Sequence, residues 1–491
     1  MPVNLLTSPR YQAGDLGLPM PDDAHAVSAC LPLWQHNIGY EEGDPAVIDR
    51  LKAAYPRFCF HPLIRELSDR FLNSADRRGL PFVSRRAAER AIQYVEHAGA
   101  DDVHLQPLDG QMVCGVTVPA EHFALLKQYW QHAGENVSSR AAQQVLTGQP
   151  VTCTESDERQ IVRRRVAEYQ QTTADQVRLF PCGMAAVAAV WRAICSGWNS
   201  TTCQFGFPYV DTLKIQQRFP GAKHHFLPLG NAADLRQLEQ LCQSSPPAAV
   251  FCEVPTNPLL ITPDLDALRA MADRFGFLLV VDDTLAACGN LNVLPLADVV
   301  VTSLTKYFSG YGNVLAGAVT VNPASRHSQK LLELLAADFE ETLSDIDTTV
   351  LAGNSEDVHE RVRTINDNAA QLAEFLKQCP EVESVFYPTP DDPSYERLKV
   401  AGRGYGGLLS VVLRNAAELT PAVFDALRIC KGPNLGTNFT LCCPYTILAH
   451  YTELEFAERC GVSRYLLRIS VGTENADDLV SRFREALEAA V

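Results

Sequence analysis

From about residue 155 to residue 355 the chain alternates short apolar runs with helical patterning, and this limits its fold more than any other feature. Val177–Phe180 reads as a strand and Met184–Ile194 as an alanine-rich helix. Ala248–Glu253, Phe277–Val281, Val299–Ser303 and Ala316–Val321 are further apolar runs bounded by turn signals. Runs of this kind suit strands buried on both faces, and strands alternating with helices imply a largely parallel sheet covered by helices. The expected fold class is therefore α/β. In a parallel sheet consecutive strand C-termini open onto one edge, where ligands bind.

The flanks pattern differently. Residues 1–150 begin with an extended, Pro- and Gly-punctuated stretch, Leu16 to Pro62. Helical patterning follows over Pro62–Leu72, Arg85–His97 and Ala120–His132, with strand-like runs at Val103–Gln106 and Met112–Val118. That is enough for a small α/β extension. Glu356–Cys379 reads as a long amphipathic helix leading into a last unit, in which Gly407–Leu413 and Leu466–Val471 look like strands and Thr473–Val491 like a closing helix. The expected division is an N-terminal extension and arm over 1–150, a large domain over 151–355 and a small α+β domain over 356–491.

Composition excludes several classes. With 46% hydrophobic and 20% charged residues the chain is an ordinary globular one. A formal charge of -16, with no basic run longer than Arg163-Arg164-Arg165, argues against a nucleic-acid partner. No apolar segment approaches the roughly 18 residues that cross a bilayer. Met1 to Arg10 lacks the charged and apolar regions of a secretory signal. The 15 cysteines are scattered without a CxxC pair, which suits reduced thiols in a cytoplasmic protein and gives no reason to expect a metal.

The chemistry centres on Ser303-Leu304-Thr305-Lys306, directly after an apolar strand and just before Gly310 and Gly312. A lysine desolvated at a strand end favours the neutral amine needed for a Schiff base. Ser303 and Thr305 could donate to a phosphate beside it, the combination a pyridoxal 5'-phosphate (PLP) site requires. Asp282 ends another strand on the same expected edge, where it could keep a pyridine nitrogen protonated, although Asp282-Asp283-Thr284 also suits a helix cap. Gly183 and Met184, where a strand meets a helix, suit either an anion site or a plain turn. Asn257 stands in the rigid Pro-Thr-Asn-Pro loop after another strand. Arg468, among apolar strand residues, suits a substrate carboxylate or an internal ion pair.

These residues resemble the cystathionine γ-synthase/γ-lyase group of PLP enzymes of Cys and Met metabolism. The resemblance rests on Cys182-Gly183-Met184, Glu253–Pro258, Val281–Thr284, Ser303–Lys306 with Val314–Val319, and Arg468–Gly472. Within the group the chain is similar to the fungal-type cystathionine γ-synthase branch through His25–Ser28, Gly39–Gly43, Tyr55–Phe58, Trp130–His132, Ser138–Arg140, Phe205–Leu213 and Gly436–Thr440. The resemblance implies PLP fold-type I (aspartate aminotransferase-like) architecture, a homodimer or homotetramer with a shared active site, and amino-acid substrates. It implies that Lys306 bonds the cofactor and shuttles protons, and that Asp282 pairs with its pyridine nitrogen. Gly183, Met184, Ser303 and Thr305 would hold the phosphate, and Arg140 would reach the phosphate of the neighbouring subunit. Phe205 would stack on the ring, Asn257 would face the phenolic oxygen, and Arg468, with Asn434, would seat the substrate.

Three positions depart from the family pattern: Ser138 and Phe205, each where a Tyr is usual, and Asn434, where a Ser is usual. The implied activity is γ-replacement on an O-acetyl- or O-succinyl-L-homoserine, with cysteine giving cystathionine. Sulfide, a carbon nucleophile in specialised metabolism, or γ-elimination without capture are the alternatives. A non-enzymatic scaffold is the contrasting class, opposed by the retention of Lys306, Asp282 and Arg468.

Overall fold

A computed structural model describes residues 3–53, 55 and 59–490. Pro56, Arg57 and Phe58, part of one segment that resembles the fungal branch, lie outside the described residues, as does Val491. The strands form three sheets. The first joins β1 (Arg77–Phe82), β2 (His104–Pro107) and β3 (Cys114–Pro119) in the antiparallel order β1-β3-β2.

The central sheet contains β4 (Val177–Phe180), β5 (Thr201–Phe205), β6 (Lys223–Leu227), β7 (Ala249–Glu253), β8 (Leu278–Asp282), β9 (Val299–Ser303) and β10 (Gly317–Val321). Its order is β4-β10-β9-β8-β7-β5-β6; the run from β9 to β6 is parallel, and β10 pairs antiparallel with β9 and β4. Leu-Leu-Val-Val in β8 and Val-Val-Val in β9 are buried on both faces, as β-branched and aliphatic runs between two helical layers must be. The third sheet places β11 (Val382–Phe386), β12 (Leu408–Leu413), β13 (Cys430–Lys431), β14 (Leu441–Pro444) and β15 (Leu467–Ser470) in the order β11-β12-β15-β14-β13.

Two features of this frame position the site. Parallel registry sets Glu253 beside Asp282, and Asp282 beside Val301, so the C-terminal ends of β7, β8 and β9 share one edge. The helix Gly183–Gly197 points its N-terminus at the same edge, and ten of its residues are buried. Its apolar surface shares one core with Trp130, Tyr129 and Phe82 of the N-terminal extension, which therefore packs directly against the central layer. At the seam His132 Nδ1 meets Asp211 Oδ1 at 2.7 Å, and Gln131 Nε2 donates to the same oxygen at 3.2 Å. Among the described residues no helix is long and apolar enough to cross a membrane.

Candidate active site

A cavity opens where the central edge faces the third sheet, with Lys306 on its wall. The strand β9 delivers Ser303, and the following turn brings Lys306 round beneath Gly436. That glycine has φ +72°, and a Cβ there would stand 2.7 Å from Tyr307 N and 2.9 Å from Lys306 C. Only glycine accepts both the left-handed backbone and the close approach, so the segment carrying Asn434 can lie against the lysine. Lys306 Nζ donates to Asn434 Oδ1 at 2.6 Å. Burial, reinforced by the positive charge of Arg468, pushes the Lys306 amine down to about 7. At neutral pH it is therefore available both as base and as acid.

Asp282 lies on the same wall, and Thr284 N donates to its Oδ1 at 2.9 Å. Burial raises the Asp282 carboxyl; it raises Glu253 further, where the Asp282 charge adds to the effect. Two adjacent carboxyls at one strand edge cannot cheaply both ionise without a cation between or beside them. Asp283 points away: it accepts from Thr302 Oγ1 and from Gln170 Nε2, and burial pushes it up to about 7. Asp282 and Asp283 thus divide the work of site and scaffold.

Opposite stands Arg468 on β15. Its Nη2 donates to Pro433 O at 2.6 Å and its Nη1 to Asn257 Oδ1 at 3.3 Å, while the guanidinium carbon lies 5.1 Å from the Tyr445 ring centroid. Among the described residues no carboxylate bonds Arg468, so no internal ion pair is formed there. The Asn434 amide nitrogen is buried without a hydrogen-bond partner.

Seven of the sequence-predicted residues therefore join Lys306 around one cavity: Asp282, Gly183, Met184, Ser303, Asn257, Asn434 and Arg468. Three others lie away from this cavity. Phe205 is fully buried in the core with Cys203, Leu227 and Val250, because the last residue of β5 turns inward to the helix layer. Tyr209, which follows the turn at Gly206 (φ +79°) and whose N–H donates to Glu253, lines the cavity instead, as do Tyr55 and Tyr445. Thr305 is 1% exposed and its hydroxyl faces Ala316, donating to the carbonyl and accepting from the amide of that residue. Arg140 lies apart from Lys306, in a second cavity with His25, Ser138 and Asp347, where it donates to Asn313 O. Ser138 caps its own helix and donates to Asp347.

Glu253, Thr284, Tyr209 and Tyr55 also line the wall without a role read from sequence. Each lies inside a segment carrying the resemblance, so the signal was present, but assigning a role needed the turn geometry.

The residues fit PLP. Ser303 Oγ is buried and has no partner, and Gly183 has no room for a side chain, since a Cβ would stand 2.9 Å from Ser303 Cβ. Backbone amides at the start of the helix Gly183–Gly197 and an orphan hydroxyl make a phosphate cradle. Asp282 adds a carboxyl that could pair with a protonated pyridine nitrogen, and Lys306 an amine, on the same cavity. This site and the α/β frame define a PLP enzyme.

Comparisons with known proteins agree. The family model described as Cys/Met metabolism PLP-dependent enzyme matches residues 151–488, and that of the fungal trans-sulfuration enzyme N-terminal domain matches residues 61–138. The chain belongs to the Cys/Met metabolism PLP-dependent enzyme family. It is 33% identical to a cystathionine gamma-synthase of Neurospora crassa, over 97% of this chain and 98% of that one. It is 35% identical to a cystathionine gamma-synthase-like protein of Aspergillus thermomutatus, over 96% and 94%. The crystal structure of cystathionine gamma synthase from Xanthomonas oryzae pv. oryzae in complex with cystathionine superposes with a TM-score of 0.60 at 26% identity, covering 68% of this chain and 86% of that one. The protein is thus a PLP-dependent enzyme with cystathionine γ-synthase-like chemistry at Cγ.

Proposed function

We propose that the enzyme catalyses γ-replacement on O-acetyl- or O-succinyl-L-homoserine with cysteine as nucleophile, releasing cystathionine. The observation that carries this reading is Arg468 sharing one cavity with Lys306, its guanidinium anchored by Asn257 and Pro433 and bonded to no carboxylate among the described residues. A bidentate carboxylate on Arg468 would set the substrate Cα beside the Lys306 amine.

When bound, PLP supplies the electron sink that makes Cα and then Cβ acidic. Lys306 Nζ takes the Cα proton and moves protons between Cα and Cβ, a role for which an amine near neutrality is suited. Asp282 would hold the proton on the pyridine nitrogen, Ser303 Oγ and the amides at Gly183 and Met184 would hold the phosphate, and Tyr209 would line the cavity beside them. The Cγ–O bond breaks with the acyl group leaving as its carboxylate. The cysteine sulfur forms the new Cγ–S bond, and the thiol proton balances the carboxylate released. The Asn434 amide, with its unpartnered nitrogen, is placed to donate to the substrate. Arg140, remote from this cavity, serves the neighbouring subunit's phosphate in a dimer or tetramer, and the enzyme works in the cytoplasm.

Mass spectrometry of products from each O-acylhomoserine, with and without cysteine, tests the reading. Cystathionine as the main product supports it. Release of 2-oxobutanoate alone would make the enzyme a γ-lyase, and a sulfide or carbon adduct in place of cystathionine would replace the nucleophile assigned here.

A further inference from the structure

The N-terminal extension sends one side chain into the cavity. Tyr55 lines it, and the Lys306 Nζ lies over the Tyr55 ring, 4.2 Å from the centroid. The same nitrogen donates to Asn434 Oδ1 at 2.6 Å. The amine thus contacts both the face of an aromatic ring and an amide oxygen. Both are partners for a cation: the ring through its negative face, the oxygen through a charge-assisted hydrogen bond. Tyr55 also packs against the core that contains Trp130 and Met184, so its ring is tied to both the extension and the cofactor helix.

We propose that Tyr55 is a positioning residue for the reactive lysine, its ring face and Asn434 Oδ1 clamping the Lys306 amine, so that the N-terminal extension takes part in the chemistry of the central domain. This rests on Lys306 being the lysine that bonds PLP. The ring stabilises the ammonium form and parks the amine on the Arg468 side of the cavity, where a substrate Cα arrives. Other charged or titratable groups face the amine from every packed element: Arg468 and Tyr445 from the third sheet, Asp282 and Glu253 from β8 and β7, Cys182 at the helix start and Tyr209 after β5. None is altered in the test.

The test uses full-length enzyme stripped of cofactor and follows covalent uptake of PLP by Lys306 against pH, with no amino-acid substrate present. Tyr55→Leu removes the ring face and should move the midpoint of uptake down by about one pH unit, while Tyr55→Phe should keep the wild-type midpoint. Because the leucine variant could fold poorly, a second series places phenylalanines of increasing fluorination at 55. Shape is kept while the face loses its negative charge, and the midpoint should fall stepwise. A midpoint that ignores fluorination, or Tyr55→Phe moving as far as Tyr55→Leu, would overturn the clamp. Wild-type enzyme forming no Lys306 adduct would overturn the assignment of Lys306 itself and the clamp with it, whereas an unexpected product from an O-acylhomoserine would leave this result standing.

Discussion

The two walls of the cavity are built by different means. One is the edge of the central sheet, where Glu253, Asp282 and Ser303 end consecutive buried strands and the Gly183 helix starts beside them. The other is assembled from separate places: Arg468 from β15, Asn434 from the turn held down by Gly436, and Tyr55 from the N-terminal extension. The first wall is set by backbone registry and matches the cofactor. The second is set by side chains on loops and strand faces and meets the substrate through Arg468, while Tyr55 and Asn434 also touch the Lys306 amine. Cofactor binding and substrate choice should therefore respond separately to mutation.

Lys306 touches both walls, so its loss should be the most severe. Lys306→Ala should abolish the covalent PLP adduct and lower turnover by roughly 10³-fold or more, read by absorbance and steady-state kinetics. Next in size is a pH effect. The Lys306 amine sits at about 7, and only its neutral form attacks PLP. Uptake should rise about tenfold per unit below that point and level off above it, whereas an ordinary exposed lysine would keep climbing past pH 9.

On the central wall alone, Ser303→Ala should weaken PLP affinity by about tenfold, the worth of one hydrogen bond to a charged group, with little change in the substrate KM once cofactor is saturating. The smallest effect on catalysis belongs to the seam. His132→Ala removes a buried partner of Asp211 and should lower Tm by a few degrees, with turnover within about twofold of wild type.

The same contrast explains what could be read from sequence. The residues of the central wall stood at the ends of apolar runs, where period and order place them on one edge before any coordinates exist. Asp282, Ser303 and Lys306 were legible for that reason. Phe205 entered through the family resemblance rather than through a strand end: its side chain lies in the core, and Tyr209, which lines the cavity, comes four residues later, after a left-handed glycine that no periodicity reveals. Tyr55 stands in a loop of the extension, and only tertiary packing brings it to Lys306.

Among the strands, β6 (Lys-His-His-Phe-Leu) is a polar edge strand without an apolar run. The strand β1 carries Gly79 and Pro81, tolerated because it too lies on an edge, and it buries Arg77 against Asp102. Neither shows the pattern that marks the strands of the central run.

The most direct test of the two-wall account is to measure, on one preparation of Arg468→Gln, the affinity for PLP and the affinity for the O-acylhomoserine. The account predicts PLP affinity within about twofold of wild type and substrate affinity weakened roughly 100-fold, the loss of a charged bidentate partner. A variant that loses PLP while still binding substrate, or loses both in proportion, would contradict it.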